Sequence, residues 1–283
     1  LQEYSHLFSN FTQSLLYLPP LHSFSSSKIN WFPEFAPIYQ PYQMYFTSGT
    51  TGKPKAVLHT FKTVFIHHMN ISIESEFTQH DIWGHIAPMY HLVDAFSIFS
   101  ITSCGAKHAF LSQFQPKVAN EFIQNEKITA TNMASTQLEF CIQSGLKNHS
   151  LRLLSCGGSS LSKDSISYIL NNFKCTFFIS YGMTECCGKI SLSIDKHNKG
   201  RNIETSGRPF KDMQIKIVDE NNQLIQNNNL QIGEIFIKGP SLFDGYLYHD
   251  NTNIFTRDKW FPTGDLAFCN SDGYMTLVDR KND

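Results

Sequence analysis

Long apolar runs, paired cysteine motifs and an excess of charge of either sign are all missing from this sequence of 283 residues. The longest apolar region, Ala95 to Leu111, is broken by serines, Thr102, Gly105 and Lys107, which excludes a membrane-spanning helix there. Charged residues make up 17% and the net charge is −1, so nothing recommends a nucleic-acid partner or an anionic membrane surface. Seven cysteines, at 104, 141, 156, 175, 186, 187 and 269, are an odd number without C-x-x-C spacing. That argues against a disulfide framework and a zinc site, and for a reducing, cytoplasmic setting. His80, His85 and His91 fall moderately close together but read as core and loop residues rather than metal ligands. No internal repeat is visible. The first residues lack a basic-then-apolar secretion pattern, and Leu1 is expected not to be the natural N-terminus.

What is present is the composition of a globular protein, 41% apolar, long enough for one large domain or two smaller ones. Residues 1–43 hold prolines at 19, 20, 33, 37 and 41 and read as irregular chain with one helix near the start, leading into a strand at 43–47. Phe61, Val64, Phe65 and His68 fall at helical spacing in a helix that ends at Gln79-His80-Asp81. Strands are expected at 81–87, 106–111, 128–131, 151–155 and 175–180, alternating with helices at 92–103, 117–126, 135–144 and 162–173. Such an order gives an α/β fold with a mainly parallel sheet flanked by helices. After Gly200 the period changes to two, as in Met213, Ile215, Ile217 and in Ile235, Ile237, which predicts a C-terminal antiparallel β subdomain.

Chemistry concentrates first in Tyr45-Phe46-Thr47-Ser48-Gly49-Thr50-Thr51-Gly52-Lys53-Pro54-Lys55-Ala56-Val57. Four hydroxyl residues (Thr47, Ser48, Thr50, Thr51), two glycines (Gly49, Gly52) and two lysines suit a phosphate: glycines let backbone N–H groups converge, hydroxyls donate, and lysine supplies charge. The spacing is not that of a Walker A loop, because Thr47 stands where its first glycine belongs and Pro54 follows Lys53. Gly157-Gly158-Ser159-Ser160 and Tyr181-Gly182-Met183-Thr184-Glu185 each begin where an expected strand stops. In open α/β sheets that is the ligand-binding rim.

These stretches, with Trp260-Phe261-Pro262-Thr263-Gly264-Asp265-Leu266 and Asp279-Arg280-Lys281-Asn282-Asp283, resemble in order the signatures of the adenylate-forming enzymes, which include acyl-CoA synthetases, peptide-synthetase adenylation domains and luciferases. The resemblance covers residues 43–283 and implies the large domain of such an enzyme, incomplete: residues 1–200 forming its α/β nucleotide- and acyl-binding part and 201–283 a β-rich subdomain ending at a hinge. The family's small C-terminal domain, with its adenylation lysine, is expected beyond Asp283. Ala56 and Ala267 stand where the family usually has glycine, and Asn282 where its hinge usually carries a charged residue.

The resemblance also implies roles. Lys55, Thr47, Ser48, Thr50, Thr51 and the loop glycines Gly49 and Gly52 hold the phosphates of ATP. Tyr181, Gly182, Gly158, Ser159 and Ser160 form the adenine site, Thr184 meets the α-phosphate, and Glu185 holds Mg²⁺. Asp265 takes the ribose hydroxyls and Arg280 touches the nucleotide. His91, Gly182 and Met183 border the acyl substrate, with Pro88-Met89-Tyr90-His91 as its gate. The implied reaction joins a carboxylic acid, expected to be fatty or otherwise apolar, to a thiol through an acyl adenylate. CoA is the expected acceptor, a carrier-protein thiol is an alternative, and a non-catalytic nucleotide- or acyl-binding domain is another.

Overall fold

Thr47 and Lys55 face each other at the end of an antiparallel pair made by β1 (Pro41–Thr47) and β2 (Lys55–Thr60). The computed structural model describes residues 38–47, 54–147, 150–193, 202–226 and 230–281. Ser48, Gly49, Thr50, Thr51 and Gly52 of the phosphate loop, the helix expected near the start of the chain, and Asn282 lie outside the described residues. The sequence passes straight from loop to helix, whereas in the structure β2 comes between them. Its residues Ala56, Val57 and His59 are buried, so partnership with β1 and burial outweigh the weak local signal.

Helix α1 (Phe61–Ser75) starts at Thr60, whose hydroxyl oxygen accepts from the Thr63 N–H at 3.3 Å. It ends a few residues before the expected polar cluster, with Glu76 in the left-handed region at φ 51°. The main sheet follows, with β3 (Ile82–His85), β4 (Lys107–Phe110), β5 (Ala130–Ala134), β6 (Leu153–Gly157), β7 (Thr176–Met183), β8 (Gly188–Leu192) and β9 (Arg208–Pro209) in the spatial order β4-β3-β5-β6-β7-β8-β9. The pairs from β4 to β7 are parallel, as the alternation of elements requires, and β8 and β9 add antiparallel.

Helices α2 (Leu92–Ala95), α3 (Ser97–Ser103), α4 (Pro116–Asn125), α5 (Ser135–Gln143) and α6 (Lys163–Asn172) form the crossovers. The helix expected over 92–103 is thus two, meeting at Phe96. Successive strand residues point to opposite faces. Leu153 and Phe178 accordingly join one core with Trp83, Ile190 and Phe243, while Leu154, Phe177 and Ile179 join another with Ile123, Leu138 and Ile166. A sheet buried on both faces reads as an apolar run, which is why β6 and β7 are legible in sequence.

The chain ends in a second sheet, β10 (Gln214–Val218), β11 (Gly233–Lys238), β12 (Phe261–Cys269) and β13 (Met275–Arg280), antiparallel throughout. No helix among the described residues is long and apolar enough to cross a membrane.

One expectation needs correcting because it concerns the site. Tyr181, Gly182 and Met183 are not loop residues after the strand but its last three. The cause is β8, which turns back and pairs with them, Tyr181 opposite Ser191, Gly182 opposite Lys189 and Met183 opposite Gly188. A Cβ on Gly182 would lie 1.9 Å from the Gly188 carbonyl oxygen, so glycine at 182 is demanded by this close approach. The loop proper begins at Thr184, in a single 3₁₀ turn over Thr184–Cys186.

Candidate functional site

Two polar groups converge on the segment 181–185. In the first, the Tyr181 hydroxyl donates to Asp265 Oδ2 at 2.7 Å, and Arg280 Nε lies 3.2 Å from Asp265 Oδ1. Asp265 and Arg280 are direct partners across β12 and β13, so strand register puts guanidinium beside carboxylate. The Asp265 N–H donates to Thr263 Oγ1 at 3.0 Å, and the Thr263 hydroxyl donates to the Ile235 carbonyl at 2.9 Å, tying the Thr-Gly-Asp turn to β11. Tyr181 is 5% exposed and its ring belongs to the core. Burial, with the Asp265 charge adding to it, raises the phenol well above its usual pKa, so it stays a donor.

In the second group, the Tyr246 hydroxyl donates to Glu185 Oε1 at 2.7 Å, and Lys55 Nζ sits 5.0 Å from the centre of the Tyr246 ring. Burial pushes the Glu185 carboxyl above the ordinary carboxylate range, while the Tyr246 hydroxyl and the charges of Lys55 and Arg280 pull it back only in part. Arg280 therefore acts on both groups, and they share one electrostatic environment. The turn bearing Glu185 is held from two sides. Phe243 donates its N–H to the Glu185 carbonyl at 2.8 Å, and His59 Nε2 donates to the Thr184 carbonyl at 2.7 Å. Burial lowers His59 to about 4, so the ring is neutral and carries its proton on Nε2, although the bond itself favours the charged form.

The glycine turn lies at the end of β6, next to β7: Gly157 pairs with Ser180, and a Cβ at 157 would meet the Ser180 hydroxyl oxygen at 2.7 Å. Gly158 is exposed at φ 95° with open space where a side chain would stand, which leaves its backbone free to face a flat ligand. Ser159 and Ser160 are exposed, and the Ser159 carbonyl accepts from Ser135 Oγ at 2.6 Å. Met183 and Thr184 are half-buried beside Glu185. His91 is exposed at the start of α2, its ring 4.7 Å from that of Tyr90, and among the described residues no hydrogen bond or ring contact joins it to the two groups. Of the loop residues assigned to the phosphates, Thr47 and Lys55 are the ones among the described residues, and Lys55 is brought to Glu185 through Tyr246.

Sequence reasoning passed over Tyr246 and His59. Gly245-Tyr246 reads as a connecting β motif, and nothing local marks its hydroxyl as the partner of a carboxylate 61 residues away. His59 alternates with apolar neighbours in β2, a weak sign of an inward-facing polar group.

A sequence profile described as AMP-binding enzyme matches residues 20–247. The 2-succinylbenzoate–CoA ligase of Enterococcus faecalis is 29% identical over 239 residues, which cover 83% of this chain and 48% of that protein. Among solved structures, the O-succinylbenzoate coenzyme A synthetase of Bacillus subtilis in complex with ATP and magnesium ion aligns with a TM-score of 0.76 at 25% identity, over 85% of this chain and 50% of that one. The luciferase-like enzyme of the nonluminescent mealworm Zophobas morio aligns with a TM-score of 0.80 at 24% identity, over 89% of this chain and 60% of its own, a likeness of fold. The chain spans about half the length of the curated relatives it matches. The profile match runs from before β1 through Tyr246, across both strands of the hairpin, the parallel sheet and the Glu185 turn, and with it the chain belongs to the AMP-binding enzyme family.

Proposed function

We propose that this chain carries the nucleotide- and acid-binding part of an ATP-dependent acid–thiol ligase, with CoA as the thiol. One oxygen of the substrate carboxylate attacks the α-phosphorus of ATP, the bond to pyrophosphate breaks, and an acyl adenylate forms. The thiol sulfur then attacks the acyl carbon, AMP leaves with the former carboxylate oxygen, and the thiol proton goes to solvent. The observation that carries this reading is the convergence of Asp265, Arg280, Glu185 and Lys55 on one segment, an acceptor-only group at one end and a carboxylate with cations at the other.

Asp265, oriented by Tyr181 and Arg280, accepts the two ribose hydroxyls, each charge-assisted bond contributing about 1.5–3 kcal/mol. Gly158 offers backbone to the adenine edge, with Ser159 and Ser160 beside it. Lys55 and the hydroxyls of Thr47, Ser48, Thr50 and Thr51 hold the departing pyrophosphate, and Thr184 the α-phosphate. Glu185 fits a magnesium ion by the chemistry of its donor: one buried carboxylate beside a phosphate site is what this cation commonly takes from a protein. Bound there, the ion would neutralise phosphate charge. Residues 1–200 serve nucleotide and acid, and 201–283 supply Asp265 and Arg280.

The acid is not restricted to fatty chains on this reading, since the Enterococcus faecalis relative reported above is a ligase of 2-succinylbenzoate. The test is carboxylate-dependent exchange of radiolabel between pyrophosphate and ATP, by a protein that carries this chain together with the small C-terminal domain expected beyond Asp283. Exchange that falls at least about tenfold in Lys55→Ala, with the melting temperature unchanged, supports the reading. AMP binding without exchange for any acid would favour a non-catalytic binding domain instead.

A further inference from the structure

Lysine is almost never fully buried without a charged partner. Lys189, the second residue of β8, is 6% exposed, and no carboxylate among the described residues lies within ion-pair distance of it. Its ammonium donates to Asn132 Oδ1 at 2.8 Å and to Ser155 Oγ at 2.9 Å, both neutral. The Asn132 amide nitrogen donates to the Val93 carbonyl, which can only accept, so its oxygen must be the atom facing the lysine. Asp94 acts on the lysine only from beyond ion-pair distance, and its oxygens meet other donors, Oδ1 Trp83 Nε1 at 3.0 Å and Oδ2 His85 Nδ1 at 2.7 Å.

An ammonium has three N–H donors, and the third finds no oxygen among the described residues. Around it stand the rings of Phe96 and Phe178, at 4.4 and 5.2 Å from Nζ to their centres. Burial lowers the amine to about 7, as expected where no described carboxylate pairs with it. Place matters as much as chemistry. Lys189 pairs across the ladder with Gly182, between Tyr181 and the Glu185 turn, and Phe96 ends α2, the helix that follows the 88–91 segment.

We infer that Lys189 is the specificity-determining cation of the acyl site, receiving a second carboxylate that the substrate acid carries at the end remote from the carboxyl to be activated. The two phenylalanine faces beside it favour an aromatic skeleton. This inference rests on the acid-activating reading above. A buried donor left without its acceptor penalises any substrate that lacks one, so discrimination should be strong. The substrate class is therefore an aromatic dicarboxylic acid rather than a simple fatty acid.

Calorimetric titration of the protein with AMP present tests this without requiring turnover. The probes are 2-succinylbenzoate and two monoacids of the same skeleton, 4-oxo-4-phenylbutanoate and 2-butyrylbenzoate. The wild-type protein should bind the diacid at least about tenfold more tightly than either monoacid. Lys189→Met should abolish the preference over the monoacid that lacks the remote carboxylate. Asn132→Asp keeps the size of the side chain and gives the lysine a resident counter-charge, so it should weaken the diacid, and the monoacid that keeps the remote carboxylate, about tenfold and leave the monoacid that lacks it unchanged. An unchanged diacid-to-monoacid ratio across wild type and both variants would overturn the inference while leaving acid activation intact. If AMP binds but no acid does, acid activation itself fails and this inference falls with it.

Discussion

Tyr181 and Asp265, 84 residues apart, are joined by a 2.7 Å hydrogen bond that ties the last strand of the parallel array to the antiparallel sheet. The bond makes a buried phenol the support of the carboxylate assigned to the ribose. In Tyr181→Phe the carboxylate keeps Arg280 but loses its buried donor. Stability should fall by about 1–3 kcal/mol in urea unfolding, and AMP affinity should drop about tenfold. Unaltered AMP affinity would separate the tyrosine from the nucleotide site.

Tyr246→Phe removes the hydroxyl that partly offsets the burial of Glu185, so the carboxyl should move further up from a position already raised. A protonated carboxyl cannot hold a cation. Magnesium-dependent ATP binding, followed across a pH series, should therefore be lost on acidification at a higher pH in the variant than in the wild type.

Acid should destabilise the fold through two histidines. Burial lowers His59 to about 4 and His67 to about 3, and each donates from Nε2 to a backbone carbonyl, of Thr184 and Lys189 respectively. Because the unfolded chain binds these protons more readily than the folded one, the stabilisation is complete above the unfolded pKa of about 6.5 and is lost as the pH falls toward the folded values. The His59 shift to about 4 corresponds to about 3 kcal/mol across that window. Urea midpoints between pH 7 and 5 should decline steeply in the wild type and less in His59→Gln.

Gly182→Ala should be among the most damaging single-methyl additions, because the new carbon meets the Gly188 carbonyl at 1.9 Å and no backbone can yield that far without parting β7 from β8. A loss of more than about 3 kcal/mol is expected by urea unfolding. A mild effect would mean that β8 does not press on β7 in this way.

Much of the fold was legible because β5 to β7 and the helices between them follow the alternation of a buried parallel sheet, whose apolar runs and crossovers are local signals. The shape of the site was less so. Tyr181 reads as the first residue of a loop, but it is strand, since the partner that extends β7 is a strand that folds back only after the motif. Lys189 carries no mark in the sequence at all, because burial is a property of what packs around a residue.

The sequence by itself determined the family signatures and their order, since glycines, hydroxyls and carboxylates at fixed spacing are written along the chain. Only the tertiary structure decided that Tyr181 serves Asp265, that Tyr246 serves Glu185, and that a lysine stands buried with no carboxylate paired to it among the described residues. Each of those facts is a distance between residues remote in sequence, set by strand register and by the packing of two sheets, and neither quantity is encoded in any single stretch.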